Sequence, residues 1–277
     1  MTTQAFLLSA WNVAPFVAAG LAILVYLAAN RFKPGKRFAI FMLGIVIFLA
    51  ALASPLDALA QGYLFSAHML EHMLLLMVVP LLWMLSLTPQ SKETASRRGI
   101  MAGMEKIGLF PALNWAAGVG AMWLWHVPAL CNAATVSGPV RTFQVISLLL
   151  LGFAFWWPIN GPRLDQRLVP WTGMLYLITA CFTCILLGIW ITFSPVAICS
   201  AFNVPVDRYG IMPLIRNQWN LSATTDQQIG GLIMWVPSCL IYLGGTLSLL
   251  ARWSKMSNPT SAASLLETNK NVGKNHG

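Results

Sequence analysis

Hydrophobic positions along this chain do not alternate with polar ones. They run together for about twenty residues at a time, approximately Trp11 to Ala29, Phe38 to Leu56, Ser66 to Leu87, Phe110 to Leu130, Val140 to Pro158, Pro170 to Phe193 and Gln228 to Trp253. A helix rising ~1.5 Å per residue crosses a hydrocarbon core of ~30 Å with a run of this length. The expected fold class is therefore all-α, an integral membrane bundle of seven transmembrane helices. No room is left between the runs for a second soluble domain. Residues 1–253 read as one membrane domain, and 254–277, rich in Ser, Asn and Lys, as a polar, disordered tail.

Composition supports the same class, with 57% hydrophobic and 9% charged residues and a mean hydropathy of +0.69. A soluble domain carries roughly 25% charge. The net charge of +9 sits in short loops between apolar runs, where it sets membrane topology, so nucleic acid is excluded as a partner and membrane lipid is the expected surrounding. One side of the alternating loops holds Arg31, Lys33, Lys36, Arg37, Lys92, Arg97, Arg98, Lys106, Arg163, Arg167, Arg252, Lys255, Lys270 and Lys274; the other holds only Arg141, Arg208 and Arg216. The richer side is expected in the cytoplasm, with the N-terminus outside and the C-terminus inside. No cation precedes Arg31, so Met1 to Ala29 reads as a retained first span and not a cleaved signal.

Three of the four histidines fall at the outer end of these spans. His68 and His72 open the third, and His126 closes the fourth in Trp123-Leu124-Trp125-His126-Val127-Pro128. Positions 68 and 72 differ by about 40° around a helix and ~6 Å along it, so two imidazoles share a face and can hold one ion. Met69, Met73 and Met77 form an adjacent stripe, and Met122 stands one turn before His126. Thioethers with imidazoles suit copper, especially the reduced ion. Methionines also fill gaps in helix bundles, and a histidine pair also forms from hydrogen bonding alone, although ionisable groups inside a membrane usually have a task. The candidate metal ligands are therefore His68, His72, His126, Met69, Met73 and Met122.

Glu71, about 60° round the helix from His68, either supports or ligates at that site or pairs with Arg141 on the same side. Asp226 in Thr224-Thr225-Asp226 supplies capping and negative charge at the start of the seventh span, and is a second acid able to support the site. Cys181 and Cys184 form a Cys-x-x-Cys in mid-span, read as small packing residues between helices. Cys131 and Cys199 share the outer loops, where a disulfide is permitted, and the sequence leaves their pairing open. Segment Ser194 to Gln227 is too polar to span and is expected to fold over the mouth of the bundle.

The segments Ser66-Ala67-His68-Met69-Leu70-Glu71-His72-Met73-Leu74-Leu75, Trp125-His126-Val127-Pro128-Ala129-Leu130, Phe155-Trp156-Trp157-Pro158 and Asp226 to Pro237 together resemble the polytopic CtaG-type cytochrome c oxidase assembly proteins, from about Trp11 to Trp253. The resemblance implies a bacterial plasma membrane protein of seven helices, needed to make an active haem-copper oxidase and handling copper on the outer side. It implies oxidase subunits or a copper chaperone as partners, and His68, His72, His126 and Asp226 as the matching positions. Relatives also carry a histidine group at the start of the fifth span, whereas Val140 to Val145 has none here.

Three other classes compete. A haem-binding or electron-transfer protein would use the histidines as axial ligands on opposite faces of a flat ring, and a structural accessory subunit of an oxidase would need no ligand. A light-driven protein is excluded because the seventh span has no lysine, and no inverted repeat points to a transporter. No hydrolytic triad, phosphate-binding glycine loop or acid–base pair is present, so the chain is expected not to be an enzyme. Oligomeric state is not legible.

Overall fold

The computed structural model describes residues 3–29, 35–88, 110–203 and 206–257. Among these residues the regular structure is all helical: α1 (Thr3–Ser9), α2 (Ala14–Ala29), α3 (Lys36–Leu52), α4 (Pro55–Ala60), α5 (Phe65–Met73), α6 (Val79–Ser86), α7 (Pro111–Trp125), α8 (Pro128–Val136), α9 (Gly138–Asn160), α10 (Pro170–Phe193) and α11 (Ala223–Ser257). A π-helical turn at Leu74–Val78 joins α5 to α6 into one rod. Arg31, Lys33, Lys92, Arg97, Arg98, Lys106, Lys270 and Lys274 lie outside the described residues, as does most of the expected tail. Ser254 to Ser257, assigned above to that tail, continue α11.

The apolar runs are largely helical, but those from Phe38 to Leu56 and from Phe110 to Leu130 each break into two helices, and the helices differ in reach. Among the described residues, four helices are long and apolar enough to cross a membrane, Phe65–Ser86, Gly138–Asn160, Pro170–Phe193 and Ala223–Ser257; the pair Thr3–Ser9 and Ala14–Ala28, bent by 50°, makes a fifth if taken as one span. α3 has 17 residues and α7 has 15, about 25 and 22 Å at ~1.5 Å per residue. Each is stopped by a proline signal. Ser54 accepts the Leu56 amide at 3.2 Å ahead of Pro55 and starts α4, while Val127 turns extended before Pro128.

The helices turn apolar residues both inward and outward. Val17, Leu24, Phe182, Leu186, Leu240 and Leu247 are exposed, a surface suited to lipid and unlike that of a water-soluble monomer. Inward, α10 packs along α11 in the most extensive helix contact. Two close approaches fix the rod that carries the histidine pair. Pro80 has no N–H to give the carbonyl one turn before it, and the ladder widens there, with the Val79 amide reaching Leu74. α9 crosses at this point through Gly152, whose absent Cβ would strike the Leu76 carbonyl and lie 2.8 Å from Pro80 Cγ. On the other side, a Cβ at Gly230 of α11 would lie 2.6 Å from Phe65 Cδ1 and 3.1 Å from Met69 Cγ.

At one end of the bundle Arg167 interacts with Arg252 and Arg37, and burial first, then these two charges, lowers its guanidinium pKa from the ordinary value. At the end that carries the histidines, the segment before α11 folds across the helices. Cys131 of α8 and Cys199 form a disulfide, and Asn132 Oδ1 accepts the Ala201 amide at 2.9 Å beside it. Tyr63 donates to Asp207 Oδ1 at 3.1 Å and accepts the Tyr209 amide at 2.8 Å; burial chiefly raises its phenol pKa above the usual range.

Gly230→Ala should lower the unfolding midpoint of the detergent-solubilised protein. Overpacking against Phe65 costs about 1–3 kcal/mol, more than the ~1 kcal/mol that alanine adds in helix propensity. Gly244→Ala, with open space around its Cβ, should leave the midpoint unchanged or raise it.

Candidate functional site

The helix that presents His68 and His72 begins without a cap of its own, since Leu64 is extended and offers no side-chain acceptor. Asp226 of α11 fills that role. Its Oδ2 accepts the Phe65 amide at 2.6 Å, and its Oδ1 accepts the Ser66 amide at 3.1 Å and the Ser66 hydroxyl. A buried carboxylate at a helix N-terminus meets both the unpaired amides and the positive end of the helix dipole. The sequence reading had Asp226 capping α11, but that helix is capped by Ser222, whose Oγ accepts the Thr225 amide at 3.0 Å. The two N-termini lie side by side, so the acid serves the neighbour that lacks a cap. Asp226 thus acts on the histidines through their helix.

The structure brings the three imidazoles together. The His68 and His72 ring centroids are 4.3 Å apart, and those of His72 and His126 are 5.6 Å apart. All three rings are buried. His68 Nδ1 lies 3.1 Å from the Ala60 carbonyl, and His126 Nδ1 lies against the Met122 carbonyl. A carbonyl only accepts, so these contacts place the proton on Nδ1 and leave the Nε2 electron pair free. His68 Nε2 has no hydrogen-bond partner, and neither has either nitrogen of His72. His126 Nε2 is 3.0 Å from Met69 Sδ, two electron-pair donors facing each other. Gln144 lies beside His72 without closing a hydrogen bond to it.

A cavity of ≈ 10 Å³ opens between these groups, lined by His72, His126, Met69, Met73, Met77, Met122, Met234 and Ser238 together with Leu76 and Leu148. That is about the volume needed for the centre of one small occupant. Every sequence-predicted ligand except His68 lines it, and Met234, from α11, joins them from a distance that no periodicity in the sequence could reveal. Phe202 of the covering segment packs against His68 with its ring tilted, centroids 5.4 Å apart. Among the described residues, no group of three or more His, Cys, Asp or Glu side chains stands in an arrangement that could hold a metal ion. The imidazoles are neighbours whose nitrogens do not yet converge on one point.

Glu71, of the two roles open to it, is found paired. Its Oε2 accepts from Arg141, whose guanidinium also reaches Asp57 Oδ1 at 3.3 Å and Gln144 Oε1 at 3.1 Å. Gln61 completes the group by donating to Asp57 Oδ2 at 2.7 Å. Glu71 Oε1 is buried without a partner. Arg141 and Gln144 belong to the stretch Val140 to Val145 that lacks histidine, and it is they that meet Glu71 and flank His72. Asp57 was passed over in the sequence, although an acid in an otherwise uncharged run is a readable signal.

Arg141→Met should destabilise the detergent-solubilised protein by about 3–5 kcal/mol, because it strands a buried carboxylate. Adding Glu71→Gln to that variant should recover at least half of the loss in unfolding midpoint. Additive losses would show that the pair is not coupled.

The family model described as cytochrome c oxidase caa3 assembly factor (Caa3_CtaG) matches residues 11–256. An uncharacterized protein of Mycobacterium leprae (strain TN) is 24% identical over 246 residues, which cover 83% of this chain and 36% of that protein. The chain therefore spans about a third of that relative's length. No solved structure matches. With helices long and apolar enough to cross a membrane several times and a family match over nearly all of its bundle, the chain belongs to the cytochrome c oxidase caa3 assembly factor family.

Proposed function

We propose that this protein handles copper for a haem-copper oxidase, as a non-enzymatic assembly factor of the bacterial plasma membrane. The observation that carries the reading is the set of buried imidazoles whose Nε2 electron pairs are left unused or face a thioether. A buried acceptor without a donor is costly, and a soft cation satisfies imidazole nitrogen and thioether sulfur together. The residues fit such an ion in kind. His68, His72 and His126 would supply nitrogen, and Met69, Met73, Met122 and Met234 sulfur. The Ala60 and Met122 carbonyls hold two rings in the tautomer a metal needs, the arrangement by which imidazole ligands are usually oriented.

The copper is cargo, received and passed on, and open geometry suits that task better than a closed cage. Haem is the weaker reading. A porphyrin needs a flat slot between two imidazoles, whereas the cavity here is ion-sized. The partners in this reading are oxidase subunits or a copper chaperone meeting the histidine end. We place that end outside, with seven membrane passes, the N-terminus outside and the C-terminus inside, on the distribution of basic residues and on the gathering of Arg37, Arg167 and Arg252 at the opposite end.

Replacing His68, His72 and His126 together by Ala should leave the protein inserted, remove one equivalent of copper(I) in competition with a colorimetric chelator, and abolish maturation of the oxidase copper centre. Unchanged binding and full oxidase activity would defeat the reading; a Soret band in the purified protein would select haem instead. A cysteine introduced at Ser257 should resist a membrane-impermeant thiol reagent in intact cells, and its labelling would invert the topology.

A further inference from the structure

Three thiols lie between α10 and α11, at the helix interface where the sequence places Cys181 and Cys184 as packing residues. Cys181 pairs across the helix interface with Cys239, sulfur to sulfur at 3.1 Å, while Cys184, one turn along α10, is fully buried. The Cys184 thiol points at the Met234 carbonyl at 3.6 Å, and the Ser238 hydroxyl donates to the same oxygen. Met234 and Ser238 are also walls of the cavity that holds His72 and His126. A single turn of α11 therefore separates the imidazoles and thioethers on one side from the thiols on the other. Beyond the thiols lies a second cavity of ≈ 220 Å³, lined by Cys181, Cys239, Tyr242 and Thr246 among apolar residues.

We propose that Cys181 and Cys239 form a second station for a soft monovalent cation, which receives copper(I) from the histidine and methionine cavity past Met234. The proposal rests on the copper-handling reading above and adds a destination within the membrane. Sulfur is the softest donor available to such an ion. Loading replaces one thiol proton by the ion. One S–H bond breaks, a thiolate–copper bond forms, the second thiol donates an electron pair, and one proton is released to solvent with no change of oxidation state. The pair stays neutral, which matters where an uncompensated charge is expensive. At ~2.3 Å per metal–thiolate bond, a linear ion needs its sulfurs roughly 4.5 Å apart, so both half-buried side chains rotate outward, toward the adjoining cavity. Two thiols suffice for this geometry, and no larger cluster is required.

The test is an anaerobic copper(I) titration of the full-length, detergent-solubilised protein against a colorimetric chelator, with mass spectrometry of thiol alkylation before and after loading. The Cys181→Ser, Cys239→Ser double variant should lose one equivalent and keep the one assigned to the histidines. The triple histidine variant should keep the thiol-bound equivalent, and copper should protect Cys181 and Cys239 from alkylation in it. X-ray absorption at copper in that variant should report sulfur ligands, an independent readout if the double variant folds poorly. Equal binding by parent and double variant, or alkylation undiminished by copper, would overturn the station while leaving the histidine reading intact. Isolation of the pair as a disulfide from cells would also overturn it. Copper stoichiometry unchanged in the triple histidine variant, with the thiols still protected from alkylation, would sink the earlier reading and not this one.

Discussion

The Arg141 guanidinium is the constraint around which this bundle is arranged. It joins Asp57 of α4, Glu71 of α5 and Gln144 of its own helix α9, so three helices meet at one cation. A buried ion group of this kind adds little net stability over a well-packed apolar substitute, but it is strongly destabilising when incomplete. Its consequence is positional. A helix rod free to slide or rotate in an apolar bundle would find many packings of similar energy, and the requirement to bring Glu71 to Arg141 removes nearly all of them. Because Glu71 lies between His68 and His72 on α5, the same contact sets where the histidine pair faces.

Two further contacts act on that helix. Asp226 closes its N-terminus from α11, and Gly230, one turn further along α11, lets Phe65 and Met69 approach the backbone. Charge, cap and close packing therefore all fix the level and rotation of α5. Arg141, Asp57 and Asp226 are supplied with partners, while His68 Nε2, both nitrogens of His72, Glu71 Oε1 and Gln144 Nε2 are not. Of these, His72 borders the cavity that Met69, Met73, Met77, Met122 and Met234 help to line, while His68 lies outside it.

Met234 gives α11 a part in two environments at once, its thioether in the histidine cavity and its carbonyl toward Cys184. Proline and glycine do related work elsewhere. Pro80 widens the rod at Leu74–Val78, and Gly152 allows α9 against the freed carbonyl.

What the sequence determined by itself was everything carried by local order along the chain. Unbroken apolar runs make helices whatever their neighbours, and a four-residue spacing puts His68 and His72 on one face, because both follow from the geometry of a single helix. Even the shortness of α3 and α7 was legible in Ser54-Pro55 and in Val127-Pro128, had proline been weighed above hydropathy. The tertiary structure alone decided partnership. It gave Asp226 to the neighbouring helix, Arg141 to Glu71 and Asp57, Cys239 to Cys181, and Met234 to the histidine cavity. The first three of these partnerships join residues 58 to 161 positions apart in sequence. Nothing along one chain states which helix will lie beside which, because that choice is made by packing and charge pairing among surfaces that exist only once the helices have formed.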